Sequence, residues 1–228
     1  MQEMKRVVFI NGSPKMSNPS ASNFLNSYGE GFMKSDEFQV FRVNVRDGHT
    51  HKSWEKDFDL TLNADALVFT FPLYIFCLPA ILMRFLQDFN IFLSNNGGYA
   101  MKPRVYAIVN CGFPEGGINS EAIGVIECFS KKTGADFRFG IMIGGGGMLS
   151  ESMKDIPYMK QTFMTLDNGF SFMAQDIQGK STEPVKNFSS DLGFPRKLYL
   201  FMADKGWIQT ARKNGLTKKQ LYARPYLD

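Results

Sequence analysis

The 228-residue chain is poor in the side chains that most often do chemistry by themselves. It has two histidines, three cysteines and two tryptophans. Cys77, Cys111 and Cys128 show no C-x-x-C spacing, so neither an iron–sulfur cluster nor a zinc framework is expected, and reduced thiols fit a cytoplasmic protein. His49 and His51 form an H-x-H pair with no further ligands nearby, which reads as a solvated loop. Cys111 has no histidine near it in sequence, which favours an inert thiol over a nucleophile. Paired carboxylates and a nucleophile–histidine–acid set are likewise missing. The phosphate-loop pattern G-x-x-x-x-G-K is absent. Gly144–Gly147 fails the dinucleotide fingerprint G-x-G-x-x-G, because Leu149 stands at the final glycine position and the run follows a fifth strand, not the first. That run reads instead as a flexible connection near a site mouth. Repeats and low-complexity tracts are not seen.

Long apolar runs are also few. The stretch 66–86 is nearly all apolar, but Pro72, Pro79 and Arg84 interrupt it, so a strand, a turn and a buried helix start are expected there and a membrane span is not. The first strand is expected to begin by about residue 5, so no signal peptide is expected. Net charge is only +4, and it is unevenly placed: residues 195–228 carry eight Lys/Arg against two Asp, while the first 194 residues are close to neutral. A basic tail of this kind meets an anionic ligand or nucleic acid, or else is a solvated helix face; the solvated face is the favoured reading, and no nucleic-acid partner is expected.

What is present points to one architecture. Hydrophobic residues make up 44% of the chain, enough for a sizeable core. Val/Ile/Phe-rich runs near 5–11, 38–44, 66–71, 104–110 and 137–143 alternate with helical patterns near 22–34, 53–63, 78–93, 119–133 and 155–176. Strands so apolar are buried on both faces, and βα alternation means a parallel sheet with helices on either side. The 38–44 run alternates more and suits an edge. Ser120 reads as the cap of the 119–133 helix. The polar stretch 178–193 reads as loop, and 195–214 as a further helix started by Pro195 and stopped by Gly215. The division expected is a domain over 1–178 and a helical extension over 179–228, packed on the core or on a second subunit. The apolar face of 195–208 and the run Phe170, Phe172, Met173 are candidates for an interface or lid.

Ligands of such sheets bind outside the carboxyl ends of the strands. Three loops stand there. Asn11-Gly12-Ser13-Pro14-Lys15, then Ser17, Ser20, Ser22 and Asn23, joins a strand to a helix with no carboxylate between residues 11 and 23. Backbone amides, hydroxyls and a helix N-terminus make it an anion site, with phosphate the expected guest and Lys15 at its rim. Pro72-Leu73-Tyr74-Ile75-Phe76 places apolar and aromatic residues where a polar loop is usual, which fits a flat apolar ligand. Asn110-Cys111-Gly112, leading into Phe113–Gly117, combines close backbone approach with paired donor and acceptor groups, as needed to read the edge of a heterocycle.

Together, N-G-S-P-K with its later Ser-x-Ser-Asn, Pro72-Leu73-Tyr74 before Pro79-Ala80, and the glycine-bearing loop after the fourth strand resemble the flavodoxin-like NAD(P)H-dependent FMN reductases and quinone reductases, over about residues 4–150. The resemblance implies a five-stranded parallel sheet of order 2-1-3-4-5 with FMN at the switch between strands one and three, flavodoxin being the standard example of that site. It implies that Ser13, Ser20, Ser22 and Asn23 hold the ribityl phosphate, that Pro72, Leu73, Tyr74, Ile75 and Phe76 lie along the ribityl chain and ring, and that Asn110, Cys111 and Gly112 border the pyrimidine end. Lys15 stands where many relatives carry Arg. The activity implied is electron transfer from NADH or NADPH through FMN to a quinone, azo compound, nitro compound or flavin, in a homodimer or tetramer. A flavodoxin-type electron carrier and a flavin-free binding protein of the same fold are the alternatives, and a sequence pI of about 8.9 argues against the first.

Overall fold

The computed structural model describes residues 4–15, 20–51, 53–180, 185–224 and 226. The apolar runs form strands β1 (Lys5–Asn11), β2 (Phe38–Asn44), β3 (Ala66–Pro72), β4 (Arg104–Asn110) and β5 (Asp136–Ile143). A short sixth strand, β6 (Phe188–Ser190), was not expected. The helices are α1 (Ala21–Glu30), α2 (Val45–Thr50), α3 (Glu55–Leu62), α4 (Ala80–Asn95), α5 (Ser120–Thr133), α6 (Lys160–Ile177) and α7 (Arg196–Lys213). Among the described residues, no helix is long and apolar enough to cross a membrane.

All neighbouring strands run parallel, in the order β2-β1-β3-β4-β5-β6. The expected five-stranded sheet of order 2-1-3-4-5 is therefore corrected to six strands, and the expected loop over 178–193 contains the sixth. The reason is local. An edge strand of three residues needs no apolar period, because β5 supplies the pairing: Gly144 N–H donates to Ser190 O (2.9 Å). The flanking polar residues also tie the edge down. Asn187 Oδ1 accepts from Gly140 N–H (2.7 Å), and Asp191 Oδ1 accepts from Gly116 N–H (2.8 Å).

Alternate residues of each strand face opposite layers. One face carries Val8, Ile10, Leu67, Phe69, Phe71, Val105 and Val109 against Leu82, Phe85 and Phe89 of α4 and Ile123 and Ile126 of α5. On the other, α1 and α6 meet through Gly29 and Phe170: a Cβ on Gly29 would lie 2.3 Å from the Phe170 ring, so only glycine allows this approach. Phe170 and Met173 are fully buried on α6, so intrachain packing, not a free interface or lid, accounts for them. Much of the phenylalanine serves this layering, as in the Phe58, Phe85, Phe89 and Phe92 contacts at 5.2–6.4 Å.

Helix ends follow local chemistry. Ser20 caps α1, its Oγ accepting from Asn23 N–H (3.2 Å). Ser120 is the first residue of α5 and not its cap; Asn119 holds the cap position and turns its amide to Gly116 O (2.9 Å) and Ile143 O (3.3 Å). α2 was also not foreseen, because His49 and His51 made its six residues look like loop. Val45 and Gly48 are buried there, and Trp54 Nε1–H donates to Val45 O (2.9 Å). At the amino ends of β4 and β5, the fully buried Asp176 accepts from Tyr106 Oη (2.6 Å), Arg138 Nε and Nη2 (both 2.9 Å) and Arg104 Nη1 (2.8 Å), which fastens α6 to the sheet.

The chain divides into two compact units, Met1–Gly193 and Phe194–Asp228. The first extends beyond the expected boundary at 178 because β6 and its flanks belong to the sheet. In the second, α7 starts after Pro195 and stops where Gly215 takes φ +74° and Leu216 N–H donates to Ala211 O (2.9 Å).

Candidate functional site

The parallel register brings four loops to one edge. Asn11 at the end of β1 pairs with Asn44 of β2 and Thr70 of β3, Pro72 ends β3 opposite Asn110 of β4, and Asn110 pairs with Ile143 of β5. The strands thus finish level with each other.

The first loop is organised by Asn11. Its Oδ1 accepts from Ser13 N–H (3.0 Å), and its Nδ2 donates to Asn23 Oδ1 and to Asn44 Oδ1 (3.3 Å). Gly12 N–H donates to Thr70 O (2.9 Å), and a Cβ at Gly12 would lie 2.6 Å from Leu82. Ser13, Ser20 and Ser22 are all buried, so their hydroxyls sit in the body of the loop and not in solvent. Ser17 lies outside the described residues.

The second loop is a tight turn. Tyr74 N–H donates to Cys77 O (2.9 Å) and Cys77 N–H to Tyr74 O (3.0 Å). The two residues between them, Ile75 and Phe76, have φ +50° and +57°, the backbone that hairpin turns usually give to Asn and Gly. A β-branched residue there is an outlier. Ile75 gains almost no burial in return, being 96% exposed, and Phe76 is 58% exposed. Phe76 lies nearly parallel to Phe113 of the next loop, with ring centroids 6.5 Å apart.

The third and fourth loops lock together. Cys111 N–H donates to Ile143 O (3.0 Å), Gly146 N–H to Cys111 O (2.7 Å) and Gly145 N–H to Phe113 O (2.7 Å). Gly144, Gly145 and Gly146 are buried, so this run is a fixed floor and the flexible connection expected there is corrected. A Cβ at Gly144 would lie 2.1 Å from Pro114 O, and one at Gly146 would lie 2.6 Å from Asn110 Oδ1. Asn110 Nδ2 in turn donates to Phe71 O (3.3 Å) and Ser22 Oγ (3.5 Å), linking the third loop to the first. Burial pushes the Cys111 thiol pKa up, and its Sγ is enclosed by Phe113 O, Glu115 O and Asn119 Nδ2 at 3.5–3.6 Å. It is a packed thiol and not a nucleophile.

A cavity of about 420 Å³ runs between these loops. Ser13, Lys15, Ser20 and Ser22 line one end; Pro72, Leu73, Tyr74, Asn110, Cys111 and Gly112 line the rest. Lys15 is the one charged side chain among its described lining residues. Asn23 lines a second, adjoining cavity, while Ile75 and Phe76 line neither and project from the turn. Gly146, Gly147, Leu149 and Ser150 complete the wall. Sequence reasoning left them out as site residues, although the glycine run itself was a signal. His51 lines the second cavity, and His49 stacks on Trp54 at 6.1 Å.

The arrangement can hold an elongated ligand with a phosphate at one end and a flat apolar ring at the other, and FMN fits on chemical grounds. A phosphate dianion meets hydroxyls, amides and one cation with no carboxylate beside it. A ring meets Leu73, Tyr74 and a floor that only glycine keeps open. The volume lies within the usual range for small-ligand pockets.

Comparison with known proteins agrees with this fold. The model of a family described as having a flavodoxin-like fold matches residues 5–122. Among solved structures, an NADH:FMN oxidoreductase in its apo form is similar at 20% identity and a TM-score of 0.57, covering 85% of this chain and 98% of that one. An NADPH-quinone reductase from P. pentosaceus is similar at 15% identity and a TM-score of 0.54, covering 75% and 98%. An azoreductase from Bacillus anthracis str. Sterne is similar at 15% identity and a TM-score of 0.50, covering 77% and 100%. At these identities the likeness is one of fold. Comparison with curated protein sequences yields no match.

Proposed function

The chain belongs to the flavodoxin-like fold family, and from that premise we propose that it is an FMN-dependent oxidoreductase that takes electrons from NADH or NADPH and passes them to a small-molecule acceptor. The observation that carries the reading is the cavity of about 420 Å³ at the β1/β3 switch, with buried serines at one end and the apolar turn of β3 at the other. Solved structures similar to it in fold include proteins described as an NADH:FMN oxidoreductase, an NADPH-quinone reductase and an azoreductase, which supports the reading.

The flavin supplies the redox chemistry when bound, taking a hydride equivalent from reduced nicotinamide and giving two electrons to a quinone, azo, nitro or flavin acceptor. The chain's own work is binding and orientation. Ser13, Ser20 and Ser22, with the amide N–H groups of the first loop, hold the phosphate. Asn23 acts through Asn11, which fixes the loop. Leu73 and Tyr74 lie along the ring, Ile75 and Phe76 project from the turn at its outer rim, and Asn110 to Gly112 border its polar edge. No acid or base is required of the protein, which agrees with a packed, protonated Cys111. We place the enzyme in the cytoplasm as a homodimer or tetramer.

The test is spectroscopic. FMN titrated into the purified protein should bind with a quenched or shifted flavin spectrum and raise the melting temperature. Stabilisation of about 2.7 kcal/mol is expected at ~100-fold excess over the dissociation constant. Size-exclusion chromatography with light scattering checks the oligomer, and a monomer at all concentrations would refute that part.

A further inference from the structure

The second cavity, of about 650 Å³, shares Ser13, Lys15 and Ser20 with the first, so the two meet across the serine loop. Its charged walls are Lys15, Arg42, Arg46 and Asp47. Arg42 is engaged already: Nε and Nη2 bind the Glu30 carboxylate at 2.8 and 2.6 Å, and Nη2 also donates to Ser27 Oγ (3.2 Å). Arg46 is different. Its Nη1 donates to Pro14 O (2.9 Å), which pins the guanidinium against the first loop, and it forms no ion pair among the described residues. Lys15 forms none either. Asp47 is the one carboxylate among its described lining residues, so two cations without an ion pair among the described residues share the wall with one anion. Phe24 adds an aromatic wall.

Fixed cations, polar side chains and an aromatic face are what a second nucleotide phosphate with its base requires. The flavin phosphate is already accounted for by the buried serines. A nicotinamide dinucleotide is longer than FMN. Because the two cavities share Ser13, Lys15 and Ser20, a dinucleotide with its nicotinamide in the flavin cavity has this second cavity open to its other half. We propose that the cavity walled by Arg46, Lys15 and Phe24 takes the adenylate end of the co-substrate, with Arg46 on the ribose 2′-phosphate, so that NADPH is preferred to NADH. The proposal rests on the FMN reading of the neighbouring cavity.

Calorimetric titration of the FMN-loaded full chain with adenosine 2′,5′-bisphosphate and with adenosine 5′-monophosphate tests it. The bisphosphate should bind about tenfold more tightly or better, the size of one charge-assisted contact. Arg46→Gln should abolish most of that preference by weakening the bisphosphate, with adenosine 5′-monophosphate binding little changed. Asp47→Asn should move the bisphosphate affinity the other way, to tighter binding, which a misfolded variant would not do. In stopped-flow reduction, Arg46→Gln should weaken NADPH and not NADH. Equal binding of the two adenylates, or an Arg46→Gln variant that keeps the preference, overturns the proposal. So does a purified protein that retains FAD, because the cavity would then serve the flavin's own adenylate. Bisphosphate binding by a chain that takes no FMN would instead refute the flavin reading and leave the phosphate subsite standing.

Discussion

Ile75 offers the sharpest separation of stability from function. It holds φ +50° with its side chain 96% exposed, so in the flavin-free protein it contributes strain and almost no packing. Left-handed backbone costs a residue with a Cβ about 1–2 kcal/mol, and a β-branched one is worse placed than most. Asparagine tolerates this conformation and avoids the extra chain entropy of glycine. Ile75→Asn should therefore stabilise the flavin-free protein by ~1 kcal/mol, or about 2–4 °C in melting temperature for a unit of this size. If Ile75 is covered by the flavin ring, the same change removes apolar contact worth ~1.5 kcal/mol, so FMN should bind about tenfold more weakly. Differential scanning fluorimetry without flavin and fluorescence titration with FMN read the two effects. A variant that melts lower, or one that binds FMN as tightly as the wild type, would refute the argument that strain is kept at this turn for the ligand.

Other substitutions probe separate parts of the account. Ser20→Ala removes the α1 cap together with a hydroxyl of the proposed phosphate site, so urea unfolding should show a loss of ~1 kcal/mol and titration a weaker FMN site. Gly146→Ala drives a methyl against Asn110 Oδ1, so FMN affinity should fall more than stability does, by the same two assays. Asp176→Asn leaves Arg104 and Arg138 without their buried counter-charge. Chemical denaturation should show a loss of about 3–5 kcal/mol, far from the flavin cavity and with FMN affinity little changed in the protein that remains folded.

The parts of the fold that sequence reveals are those with a strong period. The strands β1, β3, β4 and β5 are apolar because both faces are buried over most of their length, the edge strand β2 alternates, and the helices α4, α5 and α6 carry their apolar residues at helical spacing. β6 is invisible for a physical reason: its order comes from β5 and from Asn187 and Asp191 side chains, not from its own hydrophobicity. α2 is hidden by two histidines and an unpatterned polar face. At the site, the serine loop is legible because carboxylates are missing from it, and the β3 turn because aromatics stand where polar residues belong. The glycine run after β5 misleads. Its residues are there for close packing against Asn110 and Pro114, whereas four glycines in sequence look like freedom. The cationic cavity is also hidden, because Lys15 and Arg46 lie thirty-one positions apart and only the β1–β2 pairing joins them.

The central claim is that this chain binds FMN and lets reduced nicotinamide reach it. Anaerobic mixing of the FMN-loaded protein with NADPH or NADH, followed at the flavin absorbance, tests it most directly. The account predicts bleaching of the oxidised flavin band by a reduced nicotinamide and its return when a quinone is added. A protein that takes up no FMN, or whose bound FMN keeps its absorbance in the presence of both nicotinamides, would contradict it.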